Sequence, residues 1–112
     1  MSIQPKQLGQ TIPGDTNVAS IYSPADGVVA IVKQLIITEV AGGTPAFRIF
    51  LDDDGSTYST ATALFYDVSL SANETKVIPV WLPMNNSNGN LAVRTSVASQ
   101  INFTAHGVEI IP

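Results

Sequence analysis

The side chains able to do chemistry are few and scattered. His106 is the only histidine in the chain. It follows Ile101, Phe103 and Ala105, which alternate on one face of a strand and leave His106 on the other. A nucleophilic triad needs a nucleophile, a histidine and a carboxylate brought together. No Gly-x-Ser-x-Gly elbow is present and there is no cysteine, so His106 reads as a surface or interface residue. Asp52, Asp53 and Asp54 are the densest cluster of oxygen ligands, suited in type to a hard cation such as calcium. Three consecutive acids splay in different directions, however, and lack the alternating acids and distal glutamate of a calcium loop. With Gly55 behind them they read first as a turn, and only second as a cation site. A glycosidase pair of carboxylates would have to come from Glu39, Asp67, Glu74 and Glu109, and no two of these are singled out. The Asn-x-Ser/Thr matches at Asn73, Asn85 and Asn102 carry little weight without a secretory signal. Trp81 with Tyr22, Tyr58 and Tyr66 has the composition of a sugar-stacking platform, but for Trp81 and Tyr66 core or interface packing is the better reading. The expectation is a protein without catalytic residues or cofactor.

The elements that would carry these residues read as strands. Val28 to Val40 is dense in valine and isoleucine and follows the Pro24-Ala25-Asp26-Gly27 turn signal. Phe47, Ile49 and Leu51 then alternate with Ala46, Arg48 and Phe50. A second alternation places Leu64, Tyr66, Val68 and Leu70 on one face, opposite Phe65, Asp67 and Ser69. Asn73 opens a turn before Val77 to Leu82, where Pro79 requires an edge strand or a bulge because proline cannot donate to a ladder. The polar loop Asn85–Asn90 precedes Leu91, Val93 and Thr95. In the last strand Gly107 breaks the period, as a bulge or a close backbone approach would. Residues 1–17, with Pro5, Gly9, Pro13 and Gly14, suit an extended arm or a frayed terminus better than a strand. The expected fold is all-β: a single antiparallel sandwich over 18–112, jelly-roll or immunoglobulin-like, of roughly seven to eight strands, with an N-terminal arm over 1–17.

Bulk composition narrows the function classes. Charged residues are 12% of the chain, about half the usual share, so the surface must be covered with uncharged polar groups. Such a surface loses little desolvation energy on meeting another protein. The five basic residues, Lys6, Lys33, Arg48, Lys76 and Arg94, are scattered within a net charge of −4, which argues against nucleic acid as a partner. No apolar stretch approaches the ~20 residues of a membrane span. The opening MSIQPKQLGQ has no apolar h-region, so no Sec-type signal is expected.

Several segments together resemble a known group. Tyr22-Ser23-Pro24-Ala25 with Val32–Thr38, the Phe47–Gly55 segment with Thr57-Tyr58 and Ala63-Leu64, and the run Asn90–Ile110 are similar to small virion proteins of tailed bacteriophages. The resemblance implies a capsid decoration (cement) protein that stabilises joints between capsid subunits, or a minor head–tail or tail component. It also implies a homo-oligomer, dimer or trimer, partnered by the major capsid protein or other virion proteins. Its place would be the capsid exterior, after synthesis in the host bacterial cytoplasm. The alternative is a tail or fibre module that recognises a host glycan or envelope protein. Candidate contact residues are Gln4, Pro5, Leu8, Ile12 and Pro13 in the arm, and Pro79 and Trp81 in the proline-bearing strand.

Overall fold

The computed structural model describes all 112 residues, Met1 to Pro112. Eight strands form: β1 (Ser2–Thr11), β2 (Ala19–Tyr22), β3 (Val29–Glu39), β4 (Ala46–Asp52), β5 (Ala63–Ser69), β6 (Thr75–Met84), β7 (Asn90–Thr95) and β8 (Ile101–Ile111). They lie in two four-stranded sheets, ordered β1-β8-β3-β6 and β2-β7-β4-β5, and every pairing is antiparallel. The partnerships β1–β8, β2–β7, β3–β6 and β4–β5 are those of a long hairpin rolled up so that successive pairs fall in opposite sheets. That is jelly-roll connectivity. It decides between the two sandwich types left open by the sequence.

The core is the space between the sheets. Ala30, Val32, Leu35 and Ile37 of β3 and Ile101, Phe103 and Ala105 of β8 face Phe47 and Ile49 of β4 and Leu91 and Val93 of β7. The Phe47 ring meets Phe103 edge-on, with centroids 6.1 Å apart, so one aromatic contact ties the two sheets together. The first sheet is built from strands of 10 and 11 residues, the second from strands of 4 to 7. The long sheet therefore outreaches the short one.

Gly107 marks a seam across the long sheet. At its level β1 carries Leu8 and β3 carries Lys33 as an extra residue against β8, while β6 sets Val80 and Trp81 opposite Lys33. A Cβ on Gly107 would strike the carbonyl oxygen of Ile31 and touch Leu8, so only glycine lets the strands approach this closely. At the opposite end of the sandwich, buried Glu39 gathers two turns. Its carboxylate accepts N–H bonds from Ala41 (3.1 Å), Gly42 (2.7 Å) and Gly43 (3.2 Å) after β3, and from Asn73 (3.0 Å) before β6.

Two sequence expectations need correction. Residues 2–11 are not a free arm, because they form β1, hydrogen-bonded along β8 with Ser2 opposite Ile111 and Thr11 opposite Phe103. Pro5 is tolerated there because β1 is an edge strand. In β5, Leu64 and Tyr66 do not share the core face with Val68 and Leu70. Phe65 and Val68 pack inward and Leu70 is buried, whereas Leu64 and Tyr66 are 42% and 46% exposed. The cause is a bulge, since Asp67 takes φ 53° and adds a residue between the pairs Ile49–Phe65 and Phe47–Val68. Outside, Arg48 binds the Asp67 carboxylate with Nε and a second nitrogen, at 2.6 and 3.1 Å, and lies 3.9 Å from the Tyr66 ring centroid. Pro79 behaves as expected, in the edge strand β6.

Candidate functional site

The titratable groups are occupied with holding the fold. Asp52 is buried, and its carboxylate accepts the N–H of Thr57 at 2.8 Å and of Asp54 at 3.2 Å. Those bonds, Thr57 first, hold its carboxyl below the usual range against the opposing effect of burial. Asp53 and Asp54 are exposed, and no cluster of acidic or histidine side chains is placed to hold a metal ion. The three aspartates thus form a turn organised by the Asp52 carboxylate, with Asp53 and Asp54 turned to solvent. Glu109 lies on the inner face of the long sheet, where Tyr22 donates its hydroxyl at 2.5 Å and Lys6 its ammonium at 2.9 Å. The Tyr22 bond, then the Lys6 bond, hold Glu109 below the ordinary carboxylate range, while burial first, then Glu109, raises Tyr22. This trio clasps β1, β2 and β8. Of Glu39, Asp67, Glu74 and Glu109, only Glu39 and Glu74 are neighbours, the Glu39 N–H donating to the Glu74 carbonyl at 2.9 Å. Both their carboxylates are taken up by turns, Glu39 by the N–H groups of Ala41, Gly42, Gly43 and Asn73, and Glu74 by the Ser71 N–H and the Lys76 ammonium. His106 lies on the outer face of the long sheet, in register with Gln7 and Gln34.

That outer face is the unusual surface. Paired residues in a sheet share a face, and the rungs read across as Ile3–Ile110–Val29, then Pro5–Val108–Ile31–Pro83. Beside them on β6 stands Trp81, 64% exposed, with Lys33 Nζ 5.4 Å from its ring. A row of Gln7, His106, Gln34 and Pro79 follows, then Ile36 with Val77. None of the nine acidic residues occupies an outward position of this sheet. The outer side of the short sheet differs: it carries Arg48, Asp67 and Tyr66 as a charged cluster, and Tyr58 folds over Phe50 with ring centroids 6.2 Å apart.

The candidate contact residues divide accordingly. Pro5, Pro79 and Trp81 share the outer face of the long sheet. Gln4 is exposed on β1 but points to the opposite side, in register with Glu109. Ile12 is exposed in the loop after β1. Leu8 packs against the core and Pro13 is buried, so neither is free to meet a partner, and core packing is excluded for Trp81 and Tyr66. The sequence reading missed Ile3, Val29, Ile31, Lys33, Val108 and Ile110. A signal for them existed: β3 is apolar on both faces, as a fully covered strand would be, while only one of its faces meets the second sheet.

A third surface lies at one end of the sandwich, where the loops after β4 and β6 converge. Asn90 donates to the Gly55 carbonyl at 2.8 Å, and the Ser23 hydroxyl lies 2.9 and 2.6 Å from the carbonyls of Ser87 and Gly89.

No family model and no curated protein matches the chain. Among solved structures, it is similar to a chain in the structure of infectious bursal disease virus, Gx strain, at a TM-score of 0.52 and 14% identity. The match covers 96% of this chain and 30% of that one, so this domain spans about a third of the viral chain. The likeness is one of fold alone.

Proposed function

We propose that this chain is a non-enzymatic structural protein of a tailed-bacteriophage particle, a capsid decoration protein that stabilises joints between subunits from the capsid exterior. The observation that carries this reading is the apolar, carboxylate-free outer face of the long sheet. Contiguous exposed apolar surface of this kind marks a docking site, and the depletion of charge with an exposed tryptophan is the composition of an interface centre. Jelly rolls serve as viral capsid domains and also as lectins, so the surface and not the fold supports the choice. The test is to add purified protein to particles lacking it and count occupancy by cryo-EM. Regular occupancy over the shell, with gained heat resistance, is the expected result; density confined to the tail or neck would move the protein to a tail component.

A second reading, a tail or fibre module that recognises a host glycan or envelope protein, is favoured by one observation. The loops Asp52–Gly55 and Asn85–Asn90 meet through the Asn90–Gly55 bond and present a polar surface of amides and carboxylates. Saturable binding of the isolated domain to host cells, lost on replacing Asn86 and Asn88, would support it over the first.

A further inference from the structure

We infer that the outer face of the β1-β8-β3-β6 sheet is covered by the same face of a second copy, so that the protein is a face-to-face dimer. The inference rests on the reading of this face as a docking surface and goes beyond it by giving the face to self-association, which leaves contact with a particle to the loop ends of the sandwich.

Three features of the molecule select a second copy. The first is charge. A chain of net charge −4 meets itself at a cost wherever carboxylates face each other. Here every carboxylate lies inside the sandwich, in the loops or on the other sheet, and Lys33 is the one full charge turned outward, already placed over the Trp81 ring at 5.4 Å. The second is area. Four strands spaced ~4.8 Å apart and about ten residues long at ~3.3 Å per residue present roughly 600 Å² in projection. Two such faces reach about 1,200 Å², the lower bound of a stable interface. The third is the blocking of the alternative. Edge-to-edge pairing through β6 is obstructed by Pro79 and Pro83, and through β1 by Pro5 and the bulge at Leu8. Association through this sheet is therefore face to face, with aligned sheets stacking ~10 Å apart. Trp81 with the Ile3 and Pro5 rungs forms the apolar half of the contact, and Gln7, Gln34 and His106, in the middle row of the sheet, supply polar contacts.

Trp81 is the only tryptophan, so the unmodified protein reports on its own association. Mass measured by light scattering or analytical ultracentrifugation should be twice the 11.8 kDa of the chain at micromolar concentration. Trp81 emission should shift to the red as dilution exposes the ring. Ile3→Glu and Val77→Glu alter side chains that are 60% and 55% exposed, so the fold should persist by circular dichroism. Each should weaken self-association at least about 100-fold, because an unpaired carboxylate would have to be buried. Leu64→Glu, on the short sheet, should leave the dimer intact. A monomer at high micromolar concentration with a water-exposed tryptophan overturns the inference, as does a dimer that survives both face substitutions and is broken by Leu64→Glu. A monomer whose Trp81 emission shifts to the blue only on particles would assign the face to a particle protein, which sinks the dimer but not the virion reading. A dimer that binds no particle does the reverse.

Discussion

Replacing Phe47 by alanine separates the buried face of this sandwich from its exposed ones. Phe47 is almost wholly buried between the sheets, edge-on to Phe103 and tilted at 45° to Phe65 with centroids 6.3 Å apart. A buried Phe→Ala change costs about 3–5 kcal/mol through lost transfer energy and the cavity left behind. Aromatic pairs of this geometry add ~0.5–1.5 kcal/mol each, so a loss near ~4 kcal/mol is expected. At ~2.1 cal/mol/K per residue, a chain of 112 residues unfolds with an entropy of about 0.24 kcal/mol/K, so the midpoint should fall by about 17 °C. Trp81→Ala is the matched control. It removes a larger ring, but one 64% exposed, and should change stability by no more than ~0.5 kcal/mol, or about 2 °C. Thermal unfolding followed by circular dichroism in dilute solution, where association adds little to apparent stability, reads both. A shift below about 5 °C for Phe47→Ala, or a shift for Trp81→Ala as large as that of Phe47→Ala, would refute the assignment of the two faces.

Other expectations concern the seam, the turns and the clasp. Gly107→Ala should destabilise by ~1–3 kcal/mol in a urea titration, because the new methyl group meets the Ile31 carbonyl; Gly14→Ala, where the space is open, should be neutral or slightly stabilising. Glu39 is held below its ordinary pKa of 4.5, first by the Asn73 N–H, so its contribution is present above pH 4.5 and is lost as pH falls through the lower folded value. Glu39→Gln should accordingly lower the neutral-pH midpoint and flatten the fall in midpoint between pH 5 and pH 3. Tyr22 is raised above its ordinary value of 10.0, so its contribution is complete below pH 10 and lost as pH rises above it; Tyr22→Phe should remove that alkaline loss in melts scanned across pH 10. Millimolar calcium or a chelator should leave the wild-type midpoint unchanged, because the Asp52 carboxylate is engaged by the N–H groups of Thr57 and Asp54.

Alternation was a sound guide wherever a strand paired without interruption. Phe47 and Ile49 in β4, and Ile101, Phe103 and Ala105 in β8, could be assigned to the core from spacing alone, and Gly107 and Pro79 announced the irregularities they cause. The reading failed at β5, where the bulge at Asp67 shifts the period between Phe65 and Val68, and no residue type there betrays it. It failed again at β1, whose proline, glycine and glutamines hide a strand that forms through backbone pairing with β8 at the far end of the chain. The same distance explains why the strand order was not legible: a pairing such as Ser2 with Ile111 leaves no local trace. Of the contact candidates, Pro79 and Trp81 lie exposed on the outer face of the long sheet, and they stand out in the sequence because proline and tryptophan are conspicuous. Leu8 and Pro13 were misjudged, because a segment taken as free is packed. Ile31, Val108 and Ile110 look like ordinary strand residues in the sequence, since spacing does not say which of two apolar faces is left uncovered.

That last ambiguity bears on what the protein does. Closing this jelly roll requires one apolar face on each sheet, and β4, β7 and the inner side of β3 and β8 provide them. The outward Val29 and Val77 are exposed and Ile31, Ile36, Val108 and Ile110 are half-buried in the single chain, and left bare they create an aggregation hazard. Prolines on β6 and the proline and bulge on β1 suppress the uncontrolled form of that association, strand addition at an edge, but leave the face itself open. A surface protected at its edges and apolar over one half suits one defined partner of similar flatness. If that partner is a second copy, the loop ends of the sandwich are left outward and displayed twice. Contact with a particle or a host surface would then fall to the convergent loops at Asp52–Gly55 and Asn85–Asn90, where two weak contacts on one dimer act with the advantage of a shared effective concentration.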